Sequence, residues 1–322
     1  MASAMPRTAC LPAIVLAALA VAAADKGFEI SGRIDPPRAR VMVILDGAKS
    51  PFTSSTLTDS GGRFRFRDVA AGPYILRFFV PGLDEVTQSV DVGPSLADAS
   101  RRISLTIPFA GTVSSREARE APHKVDLRVL RIPDSARRAY REAQVLLGKN
   151  DVEGAIKRLE RAVEIEPGFA EAWNNLGTIA YHARRFSDAE RYFRQALEQV
   201  PGAYPPAVNL GGVLLNLGRY LEALGYNRYA VQEQPGDTLA NSQLGMNYLF
   251  LDRLDLALKY LKEAKRLDPG HFTYPQLHLA DIYLRLNDRQ AALRELEEFL
   301  KLHPDAPEAE RVRGEVSRLR AE

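Results

Sequence analysis

The sequence predicts a multidomain chain in which a small all-β sandwich is followed by an all-α superhelical solenoid. Three observations point there. From Phe28 to Pro108, short runs alternate apolar and polar residues between turn residues, as strands of a sandwich do. Further on, Pro167, Pro201, Pro235, Pro269 and Pro304 recur 34, 34, 34 and 35 residues apart, the period of a helix-turn-helix repeat. The length, 322 residues, suits about two domains at about 150 residues each.

Composition narrows the function. With 43 basic and 41 acidic residues the net charge is +2, which excludes a polybasic nucleic-acid binder and an acidic disordered chain. Cys10 is the single cysteine, too few for a disulfide framework or a thiolate metal site.

Residues 1–24 read as a signal peptide. Arg7 precedes an apolar run from Leu11 to Ala24, and Ala22-Ala23-Ala24 supplies the small-residue cleavage pattern, so the cut is expected after Ala24. The run is short of the roughly 20 residues that cross a bilayer. It stretches back to Thr8, however, so an uncleaved anchor stays open as the second reading. Cys10 lies ahead of the apolar run and is not placed as a lipoprotein acceptor. The chain is expected to be exported, whether periplasmic, secreted or associated with the cell envelope, with membrane contact only if the signal segment is retained.

Residues 25–110 form the sandwich, with expected strands Phe28 to Ile34, Ala39 to Leu45, Phe52 to Thr58, Arg63 to Arg67, Tyr74 to Val80, Val86 to Val92 and Arg102 to Ile107. Asp59-Ser60-Gly61-Gly62 reads as a hairpin turn, with both glycines supplying positive φ. In the strand that follows, period-two alternation sends Phe64 and Phe66 to the core and Arg63, Arg65 and Arg67 to solvent. The run Thr58-Asp59-Ser60-Gly61-Gly62-Arg63-Phe64-Arg65-Phe66, with Ala71-Gly72-Pro73-Tyr74 and an early Gly32, resembles the carboxypeptidase regulatory-like (transthyretin-like, prealbumin-like) sandwich. That resemblance implies a non-catalytic accessory module. The arginine row has two readings, a solvated strand face or a surface for an acidic polymer or lipid headgroups.

Residues 111–133 form a linker whose later part, Val125 to Val129, alternates and could add one strand. Residues 134–306 hold five repeats, at 136–169, 170–203, 204–237, 238–271 and 273–306, and 307–322 supply a capping helix. Small residues recur at Ala155, Ala189, Ala223, Ala257 and Ala292, and again at Ala162, Ala196, Ala230 and Ala264, where the fifth unit has Phe299. Gly177, Gly211, Gly245 and Ala280 on the first helices are expected to meet Ala189, Ala223, Ala257 and Ala292 on the second at close approach. The best unit, Trp173-Asn174-Asn175-Leu176-Gly177 with Tyr181, Ala189, Phe193, Ala196 and Pro201, resembles the tetratricopeptide repeat (TPR). The first repeat is degenerate and the last carries a one-residue slip near His271-Phe272, as terminal units do.

The resemblance implies a concave groove lined by the first helices and a protein or peptide ligand. Carried over position by position, one groove row is Arg141, Asn175, Asn209, Gln243 and His278. The carboxamides of Asn175, Asn209 and Gln243 suit the main chain of an extended peptide, since an amide both donates and accepts. The same residues equally suit hydrogen bonds between repeats. Further groove candidates are Arg137, Asn174, Tyr181, His182, Asn216, Met246 and Phe250, with Leu249 beside them. A clamp on a ligand carboxylate is disfavoured, because Pro205 and Asn209 stand where it needs basic residues.

Chemistry is absent from the pattern. The sequence has no nucleophile elbow, P-loop, HExxH or paired-cysteine motif, and its five histidines include no i, i+4 pair for zinc. The expectation is an exported, non-enzymatic interaction scaffold with no cofactor and no metal, binding a protein or peptide, with no nucleic acid. The alternative is an envelope- or carbohydrate-binding structural protein whose sandwich makes the main contact.

Overall fold

Alternation in the first hundred residues resolves into seven strands. The computed structural model describes residues 27–79, 86–108 and 132–321. The signal segment, Val80 at the end of the fifth expected strand, and the linker with its candidate strand at Val125 to Val129 lie outside the described residues. The strands are β1 (Phe28–Asp35), β2 (Met42–Gly47), β3 (Thr53–Leu57), β4 (Arg63–Val69), β5 (Gly72–Phe79), β6 (Val86–Val92) and β7 (Arg102–Pro108). They form two sheets, β4-β1-β7 and β3-β2-β5-β6, with β1 and β7 parallel. Inward residues of both sheets make one core, including Ile30, Ile34, Val43, Leu45, Phe64, Phe66, Leu76 and Phe78. Phe64 sits edge-on to Phe78 across that core, at 5.5 Å between ring centroids.

The Asp59 turn differs from its expected role. It joins β3 to β4, which belong to different sheets, so it is a crossover between layers and not a hairpin. The Asp59 carboxylate accepts from the backbone N–H of Gly61 and of Arg63, which closes the turn locally and removes any need for ladder pairing across it. Only Gly62 takes positive φ, +72°.

The second domain is built from five helix pairs. These are α1 (Asp134–Gly148) with α2 (Val152–Ile165), α3 (Ala170–His182) with α4 (Phe186–Gln199), α5 (Tyr204–Asn216) with α6 (Tyr220–Glu233), α7 (Thr238–Phe250) with α8 (Leu254–Leu267), and α9 (Pro275–Arg285) with α10 (Arg289–Leu302). Each pair turns on one residue in the left-handed region: Asn150, Arg184, Gly218, Asp252 and Asn287, with φ between 57° and 73°. Each second helix ends at a residue of positive, non-helical ψ, 57° to 95°, placed before the repeat proline, Glu166, Val200, Gln234, Asp268 or His303. Proline forbids the helical conformation to the residue before it, so the sequence period becomes the structural period. A last helix, α11 (Ala309–Ala321), buries Val312 and Val316 against Leu296 and Phe299 of the fifth pair.

The small residues are fully buried where the helices cross, Ala155, Ala189, Ala223, Ala257 and Ala292 all at 0% exposure. The glycines meet a different neighbour from the one expected. A Cβ on Gly177 would lie 2.6 Å from Phe193, on Gly211 2.0 Å from Asn227, and on Gly245 2.6 Å from Leu261. These partners stand one turn beyond the alanines. The alanine lets the helices approach, and the glycine then receives the large side chain four residues on.

One of those partners is polar. Asn227 takes the place held by Leu159, Phe193, Leu261 and Leu296 in the other pairs, and is fully buried. It donates to Asn247 Oδ1 at 3.2 Å, and Asn247 donates to the carbonyl of Tyr220 at 2.9 Å. Asn247 in turn replaces the Ile179, Val213 and Ile282 of its neighbours. The two exceptions to the apolar pattern are joined by this bond, while the buried Asn227 Oδ1 makes no hydrogen bond.

Candidate functional site

The sheet β3-β2-β5-β6 touches the helical array at both ends. On one side, the Thr53 carbonyl at the start of edge strand β3 lies 3.2 Å from where a Gly148 side chain would begin, at the end of α1. On the other, edge strand β6 and the loop after it meet the turns that follow α8 and α10. Ser89 N–H donates to Asp268 Oδ2 at 3.0 Å, Ser95 donates from its backbone N–H and its hydroxyl to Asp305, and His303 Nδ1 lies 3.1 Å from Asp91 Oδ2. Lys49, in the loop between β2 and β3, sits over the Tyr274 ring at 4.4 Å. The Ser89 contact covers an N–H on the outer side of an edge strand, a group that would otherwise invite pairing with another chain.

Between sheet and helices lies an open cleft of about 330 Å³. Asp46, Phe52, Thr53 and Arg77 line it from the sandwich, and Tyr140, Gln144, Asn175, Thr178 and His182 from α1 and α3. Arg77 and Asp46 form a 2.6 Å ion pair on this wall. Burial alone pulls the His182 imidazole down to about 4, so at neutral pH it enters the cleft uncharged. The volume is at the lower end of the roughly 300–1,000 Å³ of ligand clefts.

The carboxamide row is brought together, and its donors face other repeats. Asn175 donates to Tyr140 Oη at 3.2 Å, Asn209 to Asn174 Oδ1 at 3.2 Å, and Asn216 to Tyr181 Oη at 3.3 Å. Each of these bonds spans 35 residues, one repeat and one step. Gln243 is buried against Gly211 and Gly212, with its Nε2 2.6 Å from where a Gly212 side chain would begin.

Family models described as tetratricopeptide repeat match residues 140–204, 240–271 and 275–316. The helical array is built of tetratricopeptide repeats. No curated protein matches it. Among solved structures, the type IV pilus biogenesis factor PilW is similar over 59% of this chain and 87% of its own, at 19% identity and TM-score 0.53, which shows a shared fold. MamA from Desulfovibrio magneticus RS-1 aligns over 55% of this chain and 99% of its own, at 22% identity and TM-score 0.49. YrrB, described as a TPR protein with an unusual peptide-binding site, aligns over 56% and 92%, at 26% identity and TM-score 0.46.

Within the tetratricopeptide array the remaining groove candidates separate. Arg137 pairs with Asp134 at 2.7 Å on its own helix. Arg141 is exposed and borders a different hollow, with Arg138, Glu142 and Arg158, so it is not gathered with Asn174 and Asn175. Met246 packs against the clusters on both sides of α7. Phe250 is 46% exposed and stacks on Tyr220 at 4.8 Å. His278 is lowered to about 4, chiefly by burial with Asp281 opposing.

The cleft also contains residues that the repeat pattern did not single out. Tyr140, Gln144 and Thr178 are ordinary surface types on a helix, and Asp46, Thr53 and Arg77 belong to the other domain. A signal for the docking contacts was present in the sequence. Asp305 follows Pro304 where Gly168, Gly202, Gly236 and Gly270 follow their prolines, and the one-residue slip at His271-Phe272 sets Tyr274 before α9 with φ 52°. These departures from the period fall at the contact with the sandwich. Among the described residues no group of histidine, cysteine and carboxylate side chains has the arrangement of a metal site.

Proposed function

We propose that this protein is an exported, non-enzymatic scaffold that holds an exposed, extended segment of a protein partner between the concave side of its first two repeats and the sandwich. The observation that carries this is the cleft itself. Two domains contribute facing walls, and the repeat wall contains Asn175 from the expected groove row. With its donor directed to Tyr140, Asn175 keeps its carboxamide oxygen as an acceptor, and the exposed Gln144 offers a whole amide beside it. A segment laid there would meet fixed polar groups on an array that needs little ordering to bind. The apolar run of Leu11 to Ala24, ending in three alanines, supports export, and a chain without cysteine beyond Cys10 suits an oxidising compartment.

A photo-crosslinking side chain at Gln144, in the protein expressed in its host, tests this. A discrete protein adduct is expected from Gln144 and none from Leu221, which is 79% exposed on α6. The adduct is expected to disappear when Thr178→Trp fills the cleft. Adducts that persist in Thr178→Trp, or that form from Leu221 equally well, would overturn the reading.

A further inference from the structure

The two faces of the sandwich are chemically unlike. One sheet is turned to the array, and the other, β4-β1-β7, carries arginine on every strand of its outer face. The alternation places Arg63, Arg65 and Arg67 of β4, Arg33 of β1 and Arg102 of β7 on that face, all exposed. Between them stand Ser31, Ser104 and Thr106, in register across the strands. Glu29 is the acidic residue within the patch, at 3.5 Å from Arg65, 3.7 Å from Arg67 and 2.8 Å from Arg102. Asp35 lies at its edge, at the end of β1. Five guanidinium groups therefore stand against three carboxylates on the three strands, Glu29, Asp35 and the exposed Asp68 near the end of β4, in a chain whose whole net charge is +2.

Cross-strand register sharpens the point. Arg33 is directly opposite Arg63 in the β1–β4 ladder, an arrangement of like charges that costs a sheet stability. Glu29 gathers the arginines at the other end of the face; at this end Asp35 stands two residues beyond Arg33 on β1, and the Asp59 carboxylate is engaged by the backbone of its own turn. A solvated strand face would be served equally by mixed charges, without a like-charge pair.

We propose that this face docks on the anionic headgroup layer of a membrane, holding the tetratricopeptide array away from the bilayer. Guanidinium groups bind phosphate in a two-pronged geometry, and five of them on a sheet roughly 10 Å wide form a nearly planar set of such contacts. A planar arrangement matches a planar layer of phosphates. A single-stranded nucleic acid is instead gripped by a groove with stacking aromatic residues, and here the phenylalanines of β4 point inward to the core. The inference goes beyond the partner cleft and is independent of it, because the arginines lie on the opposite side of the sandwich. It also needs no retained signal segment.

Sedimentation with lipid vesicles tests it, using the chain from Asp25 onward, which contains every described residue. Vesicles with about 30% phosphatidylglycerol in phosphatidylcholine should bind it at about 0.05 M salt and release it at about 0.5 M, and pure phosphatidylcholine should not bind it. Arg33→Gln with Arg63→Gln, which also relieves the like-charge pair, should lower partition about 25-fold, as should Arg65→Gln with Arg67→Gln, at about five-fold per arginine. Removing two exposed charges from the array, Arg228→Gln with Arg311→Gln, should leave binding unchanged. The proposal is overturned by equal binding to neutral vesicles, by no binding at low salt, or by equal losses in the array variant. Binding to heparin in the absence of vesicle binding would also overturn it, and would assign the face to an acidic polymer.

Discussion

Asp305 accepts two hydrogen bonds from Ser95, from the backbone N–H at 2.9 Å and from the hydroxyl at 2.6 Å. The contact joins residues 210 apart and ties the loop after β6 to the turn after the fifth repeat. Its acidic partner stands where four other repeats have glycine.

Replacing Asp305 by the repeat glycine should loosen the sandwich without unfolding the array. Both hydrogen bonds are to a charged acceptor on an exposed turn, so the loss is expected at about 1–2 kcal/mol of docking. Because no cysteine follows Cys10, spin labels at Thr106→Cys and Gln290→Cys in the chain from Asp25 would report it. Asp305→Gly should broaden the distance distribution between them, while the helical circular dichroism stays the same.

The Asn227–Asn247 pair predicts a non-additive pair of mutations. Asn227→Leu alone should cost about 1–3 kcal/mol, since Asn247 Oδ1 loses its donor in a dry setting. Adding Asn247→Ile restores the pattern of the neighbouring repeats and should recover most or all of that loss. Urea unfolding of the two single variants and the double variant measures the coupling. Additive losses would show that the amides do not act as a unit.

Two glycines should respond to alanine with opposite signs. Gly177→Ala drives a methyl into the buried Phe193 ring and is expected to destabilise by about 1–3 kcal/mol. Gly225, within α6, has nothing within 4 Å of its would-be side chain, and Gly225→Ala should stabilise by about 0.5–1 kcal/mol. Thermal melts of the two variants, side by side with the parent, decide both.

Acid should weaken the array before its carboxylates titrate. His182 is lowered to about 4 and His278 to about 4, chiefly by burial, and His271 to about 3 by burial and then by His303. The unfolded chain binds protons at these sites near pH 6.5, and the folded chain does not. Their contribution to stability is complete above about pH 6.5 and falls as the pH drops toward the folded values. The urea midpoint should therefore decline between about pH 6.5 and 5, where carboxylates remain ionised. His271→Asn, at the most strongly lowered site, should flatten that decline.

The strands and the repeat period were legible because each is enforced within a few residues. Phe64 and Arg65 alternate because the strand does, and Pro201 stops α4 wherever it occurs. The crossing of the Asp59 turn between sheets was not legible, since an aspartate closing its own turn looks the same in a hairpin. The identity of each glycine's partner depended on helix crossing geometry, which local spacing does not encode. For the groove, the row of Asn175, Asn209 and Gln243 was visible, but the direction of each amide was set by Tyr140, Asn174 and the glycines of the repeat before. The sandwich wall of the cleft, with Asp46 and Arg77, lay beyond any repeat pattern.

Contacts at Gly148 and at Asp305 give the sandwich a hold on the first and the last repeat together. A linear stack of repeats frays from its ends, because each terminal unit has one neighbour instead of two. Here both ends share a third neighbour. The stack becomes a closed circuit of interfaces, in which release of either terminal unit must break a contact with the sandwich as well as one with the next repeat. Hydrogen exchange at α1 and α10 should then approach that of the central helices, and a chain cut to its repeats alone should lose that protection first at both extremities.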